Sequence, residues 1–319
     1  MAEKDITTKT IESYNDVFAD IVNVFLFDGK KVIQDNELIP ADVLSQYKAD
    51  GKIHGQERDV SKYWHNEGIK IAFIGIENQS QPDKFMPMRV IGYDAAIYRG
   101  QLKANRDKNT ADKLYCPAIT LVVYFGKTDW NYGKNLFDCL DIPEELVPFV
   151  NDYRLNFYSM KDLNDEQIKK FRSDFKIIAE FFKAHQSGTE YHPTDKKLEH
   201  PEETMDMISV FAGDNSFRDE YNSLPEETKK GGISMCEIYD NIIQKGIAQG
   251  IAKGRAEGIA KGIAEGRAEG RAEGRAEGEA KGKAELVKNL LAIGRSIKEI
   301  AEFFKTDESE IQGLIAMNN

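Results

Sequence analysis

The chain has 319 residues, 41% hydrophobic and 30% charged, with a formal net charge of −11. This composition can bury a core beneath a wide polar surface, and the acidic balance excludes a general basic coat for nucleic acid while leaving room for a local basic groove. Cys116, Cys139 and Cys236 are far apart and form no CxxC pair, which excludes a disulfide scaffold or zinc knuckle and suggests a reducing cytoplasm.

In chain order, Ile11, Val17, Phe18, Ile21, Val24 and Phe25 recur at helical spacing and predict a helix from about Ile11 to Phe27, stopped at Asp28-Gly29. Arg58–Trp64 reads as a short strand, and Ile69–Ile76 as a nearly continuous apolar strand of the buried kind. Met86–Lys103 returns to helical spacing, and Ala118–Phe125 is a third strand. Helix, strand, strand, helix, strand is the order of a compact α/β unit. Further helices are expected over Asn164–Lys183 and Glu202–Phe211. Glycine then recurs at every fourth position from Gly246 to Gly282, and a helical pair, Ala284–Ile293 and Ile297–Phe304, follows. No apolar run approaches the roughly 20 residues of a membrane span. The charged start of the chain has no signal-peptide stretch, so a cytoplasmic, membrane-free protein is expected.

Asp59, Glu77 and Gln79 are the residues in position for chemistry. Side chains alternate along a strand, so Glu77 and Gln79 share one side at the end of an apolar run. A hairpin between the first two strands would bring Asp59 to Glu77. Two carboxylates with a strand carbonyl suit an all-oxygen Mg²⁺ site, whose ion can activate water and neutralise a phosphate. Acidic residues at strand ends are also commonly just solvated, and spacing alone leaves both readings open. The predicted helix Met86–Lys103 carries Arg89, Arg99 and Lys103, a basic stretch suited either to phosphate contacts or to a solvated face. The five histidines show no ligand spacing, and no phosphate-binding Walker loop is present.

The string Ile74-Gly-Ile-Glu-Asn-Gln-Ser80, followed by Met86-Pro-Met-Arg-Val90 and Tyr93-Asp94, resembles the Rpn/YhgA-like recombination-promoting nucleases, also labelled transposases, of the PD-(D/E)XK superfamily. Thr120–Gly126, Trp130, Asp152–Leu155, Phe18-Ala-Asp20 and Phe25–Gly29 continue the resemblance over about the first half of the chain, and a glycine-repeat tail is typical of the family. The resemblance implies an α/β, restriction-endonuclease-like core over 1–163. A helical extension (164–240), a glycine-repeat helix (241–284) and a small helix-turn-helix-like tail (285–319) would follow it. It implies a metal-dependent DNA endonuclease that promotes recombination or mobile-element activity. Asp59 and Glu77 would be catalytic metal ligands for Mg²⁺ or Mn²⁺. Asp20 would be a further ligand, with Asp16 in reserve. Gln79 would stand in the place of the superfamily's lysine, and Arg89, Arg99 and Lys103 would lie on DNA. The sequence departs from the superfamily's motif at two places: Arg58 precedes Asp59 where proline is usual, and Gln79 is neutral. The alternative is a non-catalytic, oligomeric DNA-binding or regulatory protein on a decayed nuclease fold.

Ten interior glycines cost on the order of 10 kcal/mol in an isolated helix. A four-residue step advances 400°, so the glycine stripe drifts by about 40° per repeat. The strict period also stacks like charges at i and i+4, as in Arg267 with Arg271. A helix with this pattern is expected to gain from pairing in a homo-oligomer; the alternative is a flexible spacer.

Overall fold

A computed structural model describes residues 2–41, 44–49, 52–67, 69–107 and 115–316. The chain divides into two units, 1–243 and 244–319.

The first unit is mixed α/β. Helix α1 (Ala2–Ser13) and helix α2 (Asn15–Phe27) lead into strand β1 (Leu38–Pro40) and a separate hairpin of β2 (Leu44–Ala49) and β3 (Lys52–Glu57). Strands β4 (Val60–Asn66) and β5 (Ile69–Gln79), helix α3 (Met86–Asp107), and strands β6 (Ala118–Tyr124) and β7 (Asn156–Ser159) complete the central sheet. Its order is β1-β4-β5-β6-β7. The β4–β5 hairpin is antiparallel, whereas α3 crosses over the sheet so that β6 pairs parallel to β5. A helix is the usual way to make such a parallel return.

Alternation along β5 sorts its residues onto two faces. Ala72, Ile74 and Ile76 enter the larger core with Val17, Phe18 and Ile21 of α2 and Leu121 and Val123 of β6. Phe73, Gly75 and Glu77 fall on the other face, where Met86, Val90 and Tyr93 of α3 pack with Val122 of β6. β5 is therefore covered on both sides, which accounts for its near-continuous apolar sequence.

The expected single helix Ile11–Phe27 is two helices. Tyr14 breaks it with an extended backbone (ψ 136°), its ring stacked 3.7 Å from His200 and its hydroxyl donating to Glu203 at 2.5 Å. Similarly, Asn164–Lys183 is split into α4 (Asp165–Ile168) and α5 (Phe175–Ser187). Between them, the amides of Arg172 and Ser173 and the Ser173 hydroxyl all donate to Asp20 at 2.7 Å. Backbone donors drawn to a carboxylate on α2 do not continue a helix. Helices α6 (Pro201–Ala212) and α7 (Ser216–Ser223) bring Met205, Ile208, Phe217 and Tyr221 to a satellite core with Ile177 and Phe181, and the short α8 (Glu226–Lys230), which buries no residue, follows.

Helix α9 (Met235–Ala292) contains all ten repeat glycines. In the second unit, α10 (Ile297–Phe304) and α11 (Glu308–Ala316) bury Ile300, Ala301 and Ile311 against Val287. Gly294, at φ +88°, ends α9 in the left-handed region, and Ser296 caps α10 by accepting from the Glu299 amide. No helix among the described residues is long and apolar enough to cross a membrane.

Candidate functional site

The β4–β5 register sets the site. Val60 pairs with Ile76, so Asp59, one residue before β4, falls at the level of Glu77. Asp59 Oδ2 accepts from the Asn78 amide at 2.5 Å, which fixes the aspartate at the end of β5. Glu77 is 2% exposed. Its Oε1 accepts from Arg89 at 2.5 Å, Tyr93 at 3.2 Å and the Gln79 amide group at 3.2 Å. Burial, and next the charge of Asp59, push the Glu77 carboxyl up to about 8, although Arg89, Tyr93 and Arg58 pull it down. The structure therefore brings Asp59, Glu77 and Gln79 together.

A third carboxylate joins them. Glu12, on α1, is fully buried, and its Oε2 accepts from Asn78 Nδ2 at 2.7 Å. Burial raises its pKa well above the usual range, and the Asn78 hydrogen bond only partly offsets this while Asp59 adds to it. Asn78 thus joins the two acids, its amide to Asp59 and its side chain to Glu12. Lys9, one turn before Glu12, pairs with Asp59 Oδ1 at 3.1 Å.

Sequence reasoning missed Glu12. It looked for the helical acid at Asp20 or Asp16, on what it read as one continuous helix. The structure places Asp20 with Arg172 and Ser173, as described above, and Asp16 3.0 Å from His200 Nε2. Both line a separate pocket of about 580 Å³ with Lys31, Lys196 and His200. The break at Tyr14 separates α1 from α2, so an acid on α2 has no fixed helical phase relative to one on α1. Nothing in the sequence marks Glu12; in the structure Thr8 and Glu12, four residues apart, are both buried and mark the inward side of α1.

The basic residues of α3 divide. Arg89 is held by Glu77 and by Asp83, the latter at 3.0 Å, which makes it a partner of the carboxylate site. Arg99 and Lys103 are exposed farther along α3.

Arg58, one residue before Asp59, is 2% exposed and donates to Asp94 at 2.5 Å. Its guanidinium lies over the rings of Phe73 and Tyr93, at 4.8 and 5.1 Å from their centroids. Asp94 also accepts from Thr120 at 2.7 Å and from the Tyr153 hydroxyl. A Cβ at position 75 would come within 2.8 Å of Arg58 Cδ, so Gly75 makes room for this arginine beneath the site.

The carboxylate oxygens here bear on a hard divalent cation. Glu77 Oε2 and Glu12 Oε1 are both buried without a hydrogen-bond partner, which is costly for a carboxylate unless a proton or a cation meets it. Carboxylate oxygens are the ligands such ions prefer, so the chemistry fits. As the side chains stand, Lys9 and Arg89 draw on Asp59 and Glu77, and no three His, Cys, Asp or Glu groups among the described residues converge at ligand spacing.

The comparisons agree with the resemblance. Residues 66–197 match the model of the family described as "Putative transposase, YhgA-like". This is the family that the sequence resembles, and the match spans less than half of the chain. The match includes Glu77, Gln79, Arg89 and Asp94, whereas Lys9, Glu12 and Asp59 precede it. No curated protein and no solved structure matches the chain.

Proposed function

We propose that the protein is a metal-dependent DNA endonuclease with a restriction-endonuclease-like core, acting in recombination or mobile-element movement. The observation that carries this reading is the pair of buried glutamates, Glu77 and Glu12, with the partly buried Asp59 between them in the β4–β5 register, in a chain similar to transposases over residues 66–197. Mg²⁺ or Mn²⁺ held by Asp59 and Glu77, with Glu12 as a further ligand, would supply the positive charge that polarises a phosphate and acidifies water.

The chain's own groups have separate tasks in this reading. Gln79 braces Glu77 through its amide and orients water by hydrogen bonding, since a neutral amide cannot take a proton. Arg89 holds the Glu77 carboxyl in place by donating to its Oε1. Arg99 and Lys103 hold backbone phosphates, a contact that positions the duplex without reading sequence. The α9 glycine repeat joins copies into a homo-oligomer.

A second reading is a non-catalytic DNA-binding or regulatory protein on a decayed nuclease fold. It is favoured by Gln79, and by Lys9 and Arg89 already neutralising the acids. Purified protein with plasmid DNA and Mg²⁺ or Mn²⁺ decides between the two. Cleavage that is lost in Glu77→Ala and Asp59→Asn supports the enzyme. Binding without cleavage in every divalent cation supports the alternative. Cleavage by Glu77→Ala at the parent's rate would mean that the centre lies elsewhere.

A further inference from the structure

A second cavity shares no residue with the carboxylate centre. It lies between α4, α5 and the segment that follows α5, and its volume of about 390 Å³ is within the range of small-molecule pockets. One face of α5 forms a wall, where Glu180, Lys183, Ala184 and Ser187 recur at spacings of three and four. Ile168 of α4 and Tyr191 stand around it.

The fold leaves two polar atoms of this lining unused. Glu180 Oε2 and the Tyr191 hydroxyl are both buried, and neither has a hydrogen-bond partner among the described residues. A hydroxyl and a carboxylate are complementary, yet these two are not bonded to each other. Tyr191 is 7% exposed, and its ring is held edge-on by Phe181 and Tyr239, at 5.4 and 5.7 Å between centroids. Burial raises the Glu180 carboxyl, which Lys176, 3.8 Å from Oε1, only partly offsets. Burial also raises the Tyr191 hydroxyl, and the charge of Glu180 adds to it, so the two groups act on one another. An orphaned acceptor beside an orphaned donor is costly to a fold and calls for a ligand that meets both.

The chemistry of the lining narrows that ligand. Both lysines that line the cavity are paired, Lys183 with Asp165 at 2.6 Å and Lys169 with Glu166 at 2.9 Å, which favours a neutral molecule over a phosphate. A carboxylate accepts two N–H groups side by side, and a phenol hydroxyl donates to a carbonyl oxygen. Two adjacent N–H donors next to a carbonyl oxygen form the Watson–Crick edge of guanine. We propose that this cavity binds a neutral guanine-type nucleoside, with Glu180 accepting from its two N–H groups and Tyr191 donating to its carbonyl oxygen. The inference does not depend on the nuclease reading.

The test is calorimetric titration of the full-length protein with guanosine, inosine, adenosine and guanosine monophosphate. Guanosine is expected to bind saturably at one site. Inosine, which lacks one N–H donor, should bind about tenfold more weakly, and adenosine, whose edge opposes both groups, about a hundredfold more weakly. The monophosphate should bind within about threefold of guanosine, since the lysines are already paired. Glu180→Gln should weaken guanosine by about a hundredfold and Tyr191→Phe by about tenfold. Tyr191→Phe removes an orphaned hydroxyl, so its melting temperature should equal or exceed the parent's. Absence of guanosine binding up to about 1 mM overturns the proposal, as does equal affinity for guanosine and adenosine. Unchanged guanosine affinity in a folded Glu180→Gln or Tyr191→Phe protein overturns it too. The comparison of nucleosides on the parent decides the case even where a variant fails to fold.

Discussion

Glycine and charge play opposite roles in the two units. In the α/β unit, Gly75 is required by its surroundings, because Arg58 fills the space where a side chain would begin. In the tail unit, a Cβ at any repeat glycine from Gly246 to Gly282 would meet nothing within 4 Å. Arg58 is buried against Asp94, whereas Arg271 stands exposed on α9. The same residue types are therefore held by tertiary packing in one unit and by a local repeat in the other. Substitutions should cost much in the first and little in the second.

The largest contrast is expected at the arginines. Arg58→Ala leaves Asp94 as a buried acid without its ionic partner and should destabilise the protein by about 3–5 kcal/mol. Arg271→Ala should stay within about 0.5 kcal/mol, as exposed positions usually do. Urea denaturation measures both, and equal midpoints for the two variants would break the comparison.

Glu77 sharpens it through pH. A carboxyl raised to about 8 in the folded protein, against about 4.3 unfolded, keeps its proton in the fold over a window where the unfolded chain has lost it. The folded state then binds more protons, so stability falls as pH rises from about 4.5 to about 8 and levels off above, by up to about 1.4 kcal/mol per unit. Glu77→Gln should flatten this slope and be the more stable protein near pH 8. Glu273→Gln, exposed on α9, should leave the slope unchanged. Unfolding midpoints from pH 4.5 to 9 in the presence of a chelator provide the measurement.

The smallest effects separate the glycines. Gly75→Ala forces a methyl against an arginine that Asp94 holds in place, at a cost of about 1–3 kcal/mol. Gly258→Ala meets open space and should raise helix stability locally by up to about 1 kcal/mol. Circular dichroism should show more helix in the second variant. A loss of stability there would indicate that the glycine stripe is in close contact with another chain, as expected if the repeat assembles copies.

Much of the site was legible before the fold. Period-two alternation continued past the strand expected at Ile69–Ile76 puts Glu77 and Gln79 on one side, and the strand expected upstream gives Asp59 a way to reach them. These are local regularities, repeated along the backbone by covalent geometry, and a sequence displays them directly. The four-residue repeat is legible for the same reason.

Glu12, Lys9 and the Arg58–Asp94 pair were not legible. Each depends on how separate elements meet. The Tyr14 break resets the helical phase between α1 and α2, so periodicity from Val17 to Phe25 says nothing about which side of α1 faces β5. In the sequence Arg58 is only the residue before Asp59 at a strand start, and the packing of α3 over β5 is what sets Asp94 against it. The sequence by itself determined the three central strands β4, β5 and β6, the acidic strand end and the glycine period, but not β1, β2, β3 or β7. The tertiary structure decided which distant charges share a desolvated space, because a carboxylate's partner and its proton depend on what surrounds it in three dimensions rather than on its neighbours in the chain.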